Sequence, residues 1–260
     1  MNPRIWVEAA RPRTLPAAVA PVLVGTAVAS RLILWRFVLA LVVALALQVA
    51  VNFANDLFDA GAGVDTAERL GPRRVVAAGL VAPQAMRRAM LAALGVAGAA
   101  GLALAAAVGW ELVLVGLASG LAALGYSGGR RPYASLGLGE LFVFVFFGLV
   151  ATVGSQYVQD EAWRWIAVLV AVPVGLVAVA ILVVNNLRDI PTDAPAGKAT
   201  LAVRLGDRRT RILFGALLVG ALLLDGLVAW AMASPWPLVA LLSAPLAWMA
   251  LRPVRRGATG

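Results

Sequence analysis

No cysteine and no histidine occur among the 260 residues. Their absence removes disulfides, thiolate metal sites, zinc triads and Ser-His-Asp chemistry together. Lysine is reduced to Lys198 alone, and charged residues make up 13% of the chain against 62% hydrophobic. Any chemistry falls to Asp, Asn, Arg, Tyr and that one lysine.

What is present is apolar length. A mean hydropathy of +0.90 exceeds what a soluble core of this size can hide, so the surrounding medium is lipid. Runs such as 37–50 and 165–184 are apolar on every face, whereas a transmembrane barrel alternates apolar and polar residues. The fold class expected is therefore all-α, a polytopic transmembrane helical bundle. Windows long enough to cross the hydrocarbon predict eight spans, near 14–30, 34–57, 85–108, 111–126, 137–158, 163–187, 211–231 and 235–251. Residues 1–260 read as a single domain. No small-residue cleavage site follows a short apolar core, so the first helix is expected to be retained.

Alternating the intervening segments inside and outside from a cytoplasmic N-terminus places every one of the 22 basic residues inside except Arg31, Arg36 and Arg164. The net charge of +9 is thus a topology signal against an anionic leaflet and calls for no nucleic acid.

Two acidic patches interrupt this lipid-soluble chain: Asn52 to Asp59 running on to Asp65, and Asn185 to Asp189 running on to Asp193. They hold five of the 13 acidic residues, although each carboxylate near the bilayer centre costs about 2.5–3.5 kcal/mol on insertion scales. Asn52, Asn55, Asp56 and Asp59 stand at i, i+3, i+4 and i+7, which puts them on one face of the second long helix. Like charges at that spacing repel unless a cation sits between them. Gly61 and Gly63 release the chain so that Asp65 can turn back. In the second patch, Pro191 is expected to end the sixth span and leave Asp193 on a loop. Oxygen-only ligands point to a hard ion, Mg²⁺, with substrate phosphates filling the rest of its shell. Arg69, Arg73, Arg74, Arg130, Arg131, Arg188 and Lys198 lie in adjacent inside segments and would offset a diphosphate.

These residues carry a resemblance. Asn55-Asp-x-x-Asp59 with Asp65, and Arg-Asp189-x-x-x-Asp193, are similar to the paired aspartate-rich motifs of the UbiA superfamily of intramembrane aromatic prenyltransferases. Further stretches agree: Arg69-Leu-Gly-Pro-Arg-Arg, Tyr126-Ser-Gly-Gly-Arg-Arg-Pro-Tyr133, Gly137-Leu-Gly-Glu140 leading into the phenylalanine run, and Asn185 to Gly206. The six-residue step from Asp59 to Asp65 resembles the naphthoate-prenylating branch.

The resemblance implies transfer of a polyprenyl group from polyprenyl diphosphate to 1,4-dihydroxy-2-naphthoate, with loss of diphosphate and CO₂, giving demethylmenaquinone. It implies Mg²⁺ held by Asp56, Asp59, Asp65, Asp189 and Asp193, and a substrate site formed by Asn52, Asn55, Arg69, Arg74, Tyr126, Arg130, Asn185, Asn186, Arg188 and Lys198. It implies a multi-pass protein of the bacterial inner membrane, and the distribution of basic residues predicts both motifs on the cytoplasmic side. Phe142 to Phe147 are expected as lipid-facing or helix-packing bulk rather than as tunnel wall, and Gly95, Gly98 and Gly101 as close helix contacts. The superfamily is generally described with nine transmembrane helices against the eight counted, so the reading leaves a truncated chain or a member without the last helix. A sister enzyme using 4-hydroxybenzoate, haem, a chlorophyllide or a glycerol phosphate would keep the same metal site. A cation transporter would instead spread its carboxylates along a mid-membrane path.

Overall fold

The computed structural model describes residues 2–61, 71 and 73–257. Among them there is no strand, and the elements are helices and short connections. A first short helix, α1 (Pro3–Ala10), is capped by the Asn2 side chain and leads through a 3₁₀ turn into α2 (Leu15–Ala27). There follow α3 (Leu34–Gly61), α4 (Pro83–Val108) and α5 (Glu111–Gly125). A composite helix is built from α6 (Gly139–Val143), a π-helical segment (Phe144–Val150) and α7 (Ala151–Asp160). The bundle is completed by α8 (Trp165–Asp193), α9 (Leu201–Ala231) and, after a 3₁₀ turn, α10 (Ala244–Arg255).

Each of the eight expected spans has a helical counterpart. Six are long and apolar enough to cross a membrane, and α2 and α5 are shorter apolar helices. The protein is a multi-pass membrane protein.

The sixth span departs from expectation at its end. Pro191 lies inside α8, and Asp193 is the last residue of that helix rather than a loop residue. Proline removes only the bond its own N–H would give to Leu187. The ladder resumes beyond it, with Ala194 N–H donating to Ile190 O at 3.2 Å and the Thr192 hydroxyl to Asp189 O at 3.0 Å. Asp189 and Asp193 are therefore presented by one continuous helix.

The tight helix contacts also fall elsewhere than expected. A Cβ on Gly95 or Gly98 would meet nothing within 4 Å, and one on Gly101 would reach only the Val43 side chain of α3, at 4.0 Å. The close approach is between Gly148 of the π segment and Gly175 of α8, where a Cβ on the first would lie 2.7 Å from the Cα of the second. Gly25 of α2 is pressed in the same way against Thr152 of α7. Small residues let these backbones touch where lipid supplies no hydrophobic drive.

At the end of the bundle away from the acidic patches, polar groups staple two loops. Buried Arg36 donates to Val158 O at 3.0 Å and to Glu161 Oε1 at 2.7 Å, and Ser30 N–H donates to Asp160 Oδ1 at 2.9 Å. The guanidinium of Arg36 holds the Glu161 carboxyl below its ordinary range. Two of the three basic residues assigned to the outer side thus meet Glu161, Arg31 lying 3.0 Å from it as well.

Candidate functional site

The last three turns of α3 carry the first acidic patch, and Asn52, Asn55, Asp56 and Asp59 are all buried. Their tasks differ. Asn52 holds the N-terminal segment: its Nδ2 donates to Ala10 O at 2.8 Å and to the Thr14 hydroxyl at 3.0 Å. Asp56 accepts Val75 N–H at 3.0 Å on one oxygen and Val76 N–H at 2.9 Å on the other. Those two valines sit in the apolar cluster with Phe53 and Met86, so Asp56 anchors the turn after the patch from within the core.

Asp59 gathers positive charge. Arg74 donates to its Oδ2 at 2.7 Å, and Lys198 Nζ lies 3.4 Å from the same oxygen. Lys198 comes from the connection between α8 and α9, whose backbone is fixed by Lys198 N–H donating to Asp193 O at 3.0 Å. The single lysine therefore ties the second acidic patch to the first. On α8, Arg188 forks onto the neighbouring Asp189 at 2.8 and 3.2 Å.

A cavity of about 820 Å³ opens between these elements. Its polar end is lined by Asn55, Asp59, Arg74, Asp189, Asp193 and Lys198, and its remainder by apolar residues such as Val43, Leu104, Leu112 and Val158. Tyr126, Asn52, Asn185, Asn186 and Arg188 also line it. Asp56 does not, nor does Arg130, which is exposed. Asp65 and Arg69 lie outside the described residues.

The phenylalanine run proves to be wall. Phe142, Phe146 and Phe147 line the cavity, while Phe144 packs on Gly175. The expectation of lipid-facing or helix-packing bulk holds for Phe144 and fails for Phe142, Phe146 and Phe147, the last two lying in a π-helical segment whose turn is wider than that of the α-helix. The Tyr133 ring stacks on Phe142 with centroids 3.9 Å apart and meets Tyr126 edge-on at 5.5 Å. Its hydroxyl donates to Ala122 O at 2.7 Å, and burial pushes the phenol's pKa up, so it stays neutral.

Three contributors are invisible in an inventory of acidic patches. Arg11 and Thr14 line the cavity from the N-terminal segment, where Arg11 adopts a left-handed backbone (φ 52°). Proline on its C-terminal side and a threonine returning a hydrogen bond to Arg11 O at 2.9 Å are the local signals for that turn. Ser127 donates to Asn55 Oδ1 at 2.8 Å. Asp225, within α9, is a further intramembrane carboxylate that lies off the cavity.

The donor set suits a hard cation, since carboxylate and amide oxygens converge on one end with no sulfur or imidazole. Among the described residues no three acidic side chains come close enough to hold an ion on their own. An ion here would complete its shell with amide carbonyls, water and the oxygens of a ligand. That is the usual manner of Mg²⁺ with phosphates.

A helical membrane bundle with an acidic and basic cavity mouth and an apolar interior defines a class that handles an amphiphile with an anionic head. The chain belongs to the UbiA prenyltransferase family, whose model matches residues 18–258. It is 47% identical over 258 residues to the 1,4-dihydroxy-2-naphthoate octaprenyltransferase of Mycobacterium tuberculosis, covering 98% of this chain and 87% of that protein. Against the enzyme of the same name from Escherichia coli it is 40% identical, covering 93% and 82%. In fold it resembles a UbiA homolog from Archaeoglobus fulgidus solved with GPP and Mg²⁺, at a TM-score of 0.70 and 16% identity over 95% of this chain and 84% of that one.

Proposed function

We propose that this protein transfers a polyprenyl group from polyprenyl diphosphate to 1,4-dihydroxy-2-naphthoate, releasing diphosphate and CO₂ and forming the demethylmenaquinone skeleton in its quinol state. The observation that carries this reading is the cavity itself. An isoprenoid tail needs an apolar sleeve, and its diphosphate needs cations and metal-binding oxygens at one end of that sleeve. Both occur in one void of about 820 Å³. Relatives 32–47% identical carry the naphthoate prenyltransferase name, which favours this acceptor over 4-hydroxybenzoate.

In this reading Asp59, Asp189 and Asp193 would hold Mg²⁺, with Asp65 added from the segment after α3. Bound there, Mg²⁺ would withdraw charge from the diphosphate as the allylic C–O bond breaks. Arg74, Arg188 and Lys198 neutralise the departing diphosphate, which leaves with the bonding electron pair. The ring carbon of the naphthoate supplies the electrons for the new C–C bond. Loss of the carboxyl group as CO₂ returns an electron pair to the ring and restores its aromaticity. Tyr126, Tyr133 and Phe142 would face the allylic cation with π-electrons, and the apolar lining disfavours water that would quench it. Asp56 serves the same site by fixing the turn that carries Arg74.

In this reading the site faces the cytoplasm of a bacterial cell membrane, which the positive-inside distribution of basic residues supports. An acceptor panel with one labelled allylic diphosphate tests the assignment. Turnover of dihydroxynaphthoate is expected; turnover of 4-hydroxybenzoate alone would move the protein to the sister branch.

A further inference from the structure

Glu140 is a buried carboxylate for which the reaction has no evident use. It stands in the second residue of α6, is 8% exposed, and does not line the cavity. A carboxylate so placed in a membrane helix needs a strong reason to be there. Its side-chain partner among the described residues belongs to the second acidic patch: Asn186 Nδ2 donates to Glu140 Oε1 at 3.0 Å. Its other oxygen, Oε2, is buried without a partner among the described residues.

That single bond settles an ambiguity in Asn186. An amide can offer either an N–H₂ or a carbonyl oxygen, and the two lie on opposite sides of its carbon. With Nδ2 committed to Glu140 behind the wall, Oδ1 is the atom left to the cavity that Asn186 lines. Asn186 precedes Asp189 by three residues and Asp193 by seven, so the three oxygen-bearing groups share one face of α8. Asn55 shows the opposite arrangement. There Ser127 occupies the carbonyl oxygen and leaves the N–H₂ to the cavity.

We propose that Glu140 is a positioning residue that locks the Asn186 amide with its carbonyl oxygen toward the cavity, making Asn186 an oxygen ligand for the divalent cation rather than a phosphate donor. An ionised glutamate, which has only acceptors, enforces this orientation; a glutamine keeps it by offering its carbonyl oxygen to Asn186 Nδ2, whereas water would permit either. The inference rests on the diphosphate and Mg²⁺ reading of the site. Glu140 acts only through Asn186, since it does not reach the cavity.

The test is binding of Mg²⁺ to the full chain in nanodiscs, measured calorimetrically in the presence of geranyl S-thiolodiphosphate, which does not ionise. Glu140→Leu should weaken the apparent Mg²⁺ affinity by about 10- to 100-fold, the usual cost of losing a partner behind a metal ligand. Glu140→Gln, which keeps an acceptor for Asn186, should recover most of that loss. Asn186→Asp alone should bind weakly, because two carboxylates then face each other. The double variant Glu140→Gln, Asn186→Asp should rebind the ion, because glutamine donates to one aspartate oxygen and leaves the other to the cavity. Wild-type affinity in Glu140→Leu would overturn the proposal, and so would a glutamine variant as weak as the leucine one. If Glu140→Leu does not fold, the double variant decides, and failure of rescue overturns the proposal. Absence of Mg²⁺ and thiolodiphosphate binding in the wild type would instead overturn the reading of the site on which it rests.

Discussion

Lys198 Nζ lies 3.4 Å from Asp59 Oδ2, so the only lysine of the chain bridges the helix of the first acidic patch and the connection that follows the second. Arg74 shares that oxygen at 2.7 Å. Three segments remote in sequence meet on one carboxylate, at the mouth of a cavity that is otherwise apolar. A diphosphate placed there would meet two cations already held in position, with little side-chain entropy left to lose.

Removing Lys198 should therefore act on the leaving group. We expect Lys198→Ala to lower kcat by about 10²-fold, the scale of losing one preorganised charge-stabilising donor. Lys198→Arg should lose less. The KM for dihydroxynaphthoate should stay near its wild-type value, as steady-state kinetics with varied acceptor will report.

Asp56 makes a different prediction from its neighbour Asp59. Because it satisfies two buried backbone amides, Asp56→Ala orphans both, at about 1–3 kcal/mol each. Thermal unfolding in detergent should show a clear loss of Tm for Asp56→Ala and a smaller one for Asp56→Asn, which keeps one acceptor. Asp59→Asn should cost activity with a smaller change in Tm. An Asp56→Ala protein as stable as wild type would contradict the anchoring role.

The apolar part of the cavity should limit the donor's length. Gly116 lines it, and a Cβ there would meet nothing within 4 Å, so a larger side chain can project into the void without distorting the helix. Gly116→Leu should retain turnover of geranyl diphosphate while reducing that of long polyprenyl diphosphates. Competition between short and long donors in one reaction reads this directly.

The Arg36 and Glu161 staple at the far end should govern stability and leave the chemistry alone. The carboxyl of Glu161 is held below its usual range in the folded protein, so its contribution is present above the ordinary glutamate pKa and lost as pH falls through the lowered value. Arg36→Leu should lower Tm at neutral pH and flatten its dependence on pH below about 4.3, the unperturbed glutamate value. Donor and acceptor KM values should not move.

Much of this arrangement is written in the residues. Continuous apolar runs identify the helices, because lipid leaves the backbone no other way to satisfy itself. The i, i+3, i+4, i+7 spacing of Asn52, Asn55, Asp56 and Asp59 puts them on one helical face. Spacing does not distinguish Asp56 from Asp59, since that depends on Val75 and Val76 folding back from twenty residues away. Pro191 misleads for a related reason: local sterics disfavour the helix, and hydrogen bonds on its far side carry it on to Asp193. The phenylalanine run is ambiguous in sequence because apolar composition does not announce the π-helical segment that carries Phe146 and Phe147 on the cavity wall. The roles of Glu140 and Ser127 exist only through contacts 46 and 72 residues away.

The most direct test of the account is a single reaction series in membranes carrying this chain: labelled polyprenyl diphosphate, dihydroxynaphthoate, and Mg²⁺ present or removed by EDTA, with Asp189→Ala as the paired variant. Prenylated, decarboxylated naphthoquinol should form only with the wild-type chain and Mg²⁺, and Asp189→Ala should be inactive while retaining its Tm. Full product formation without divalent cation, or by folded Asp189→Ala, would contradict a diphosphate site built from the two acidic patches.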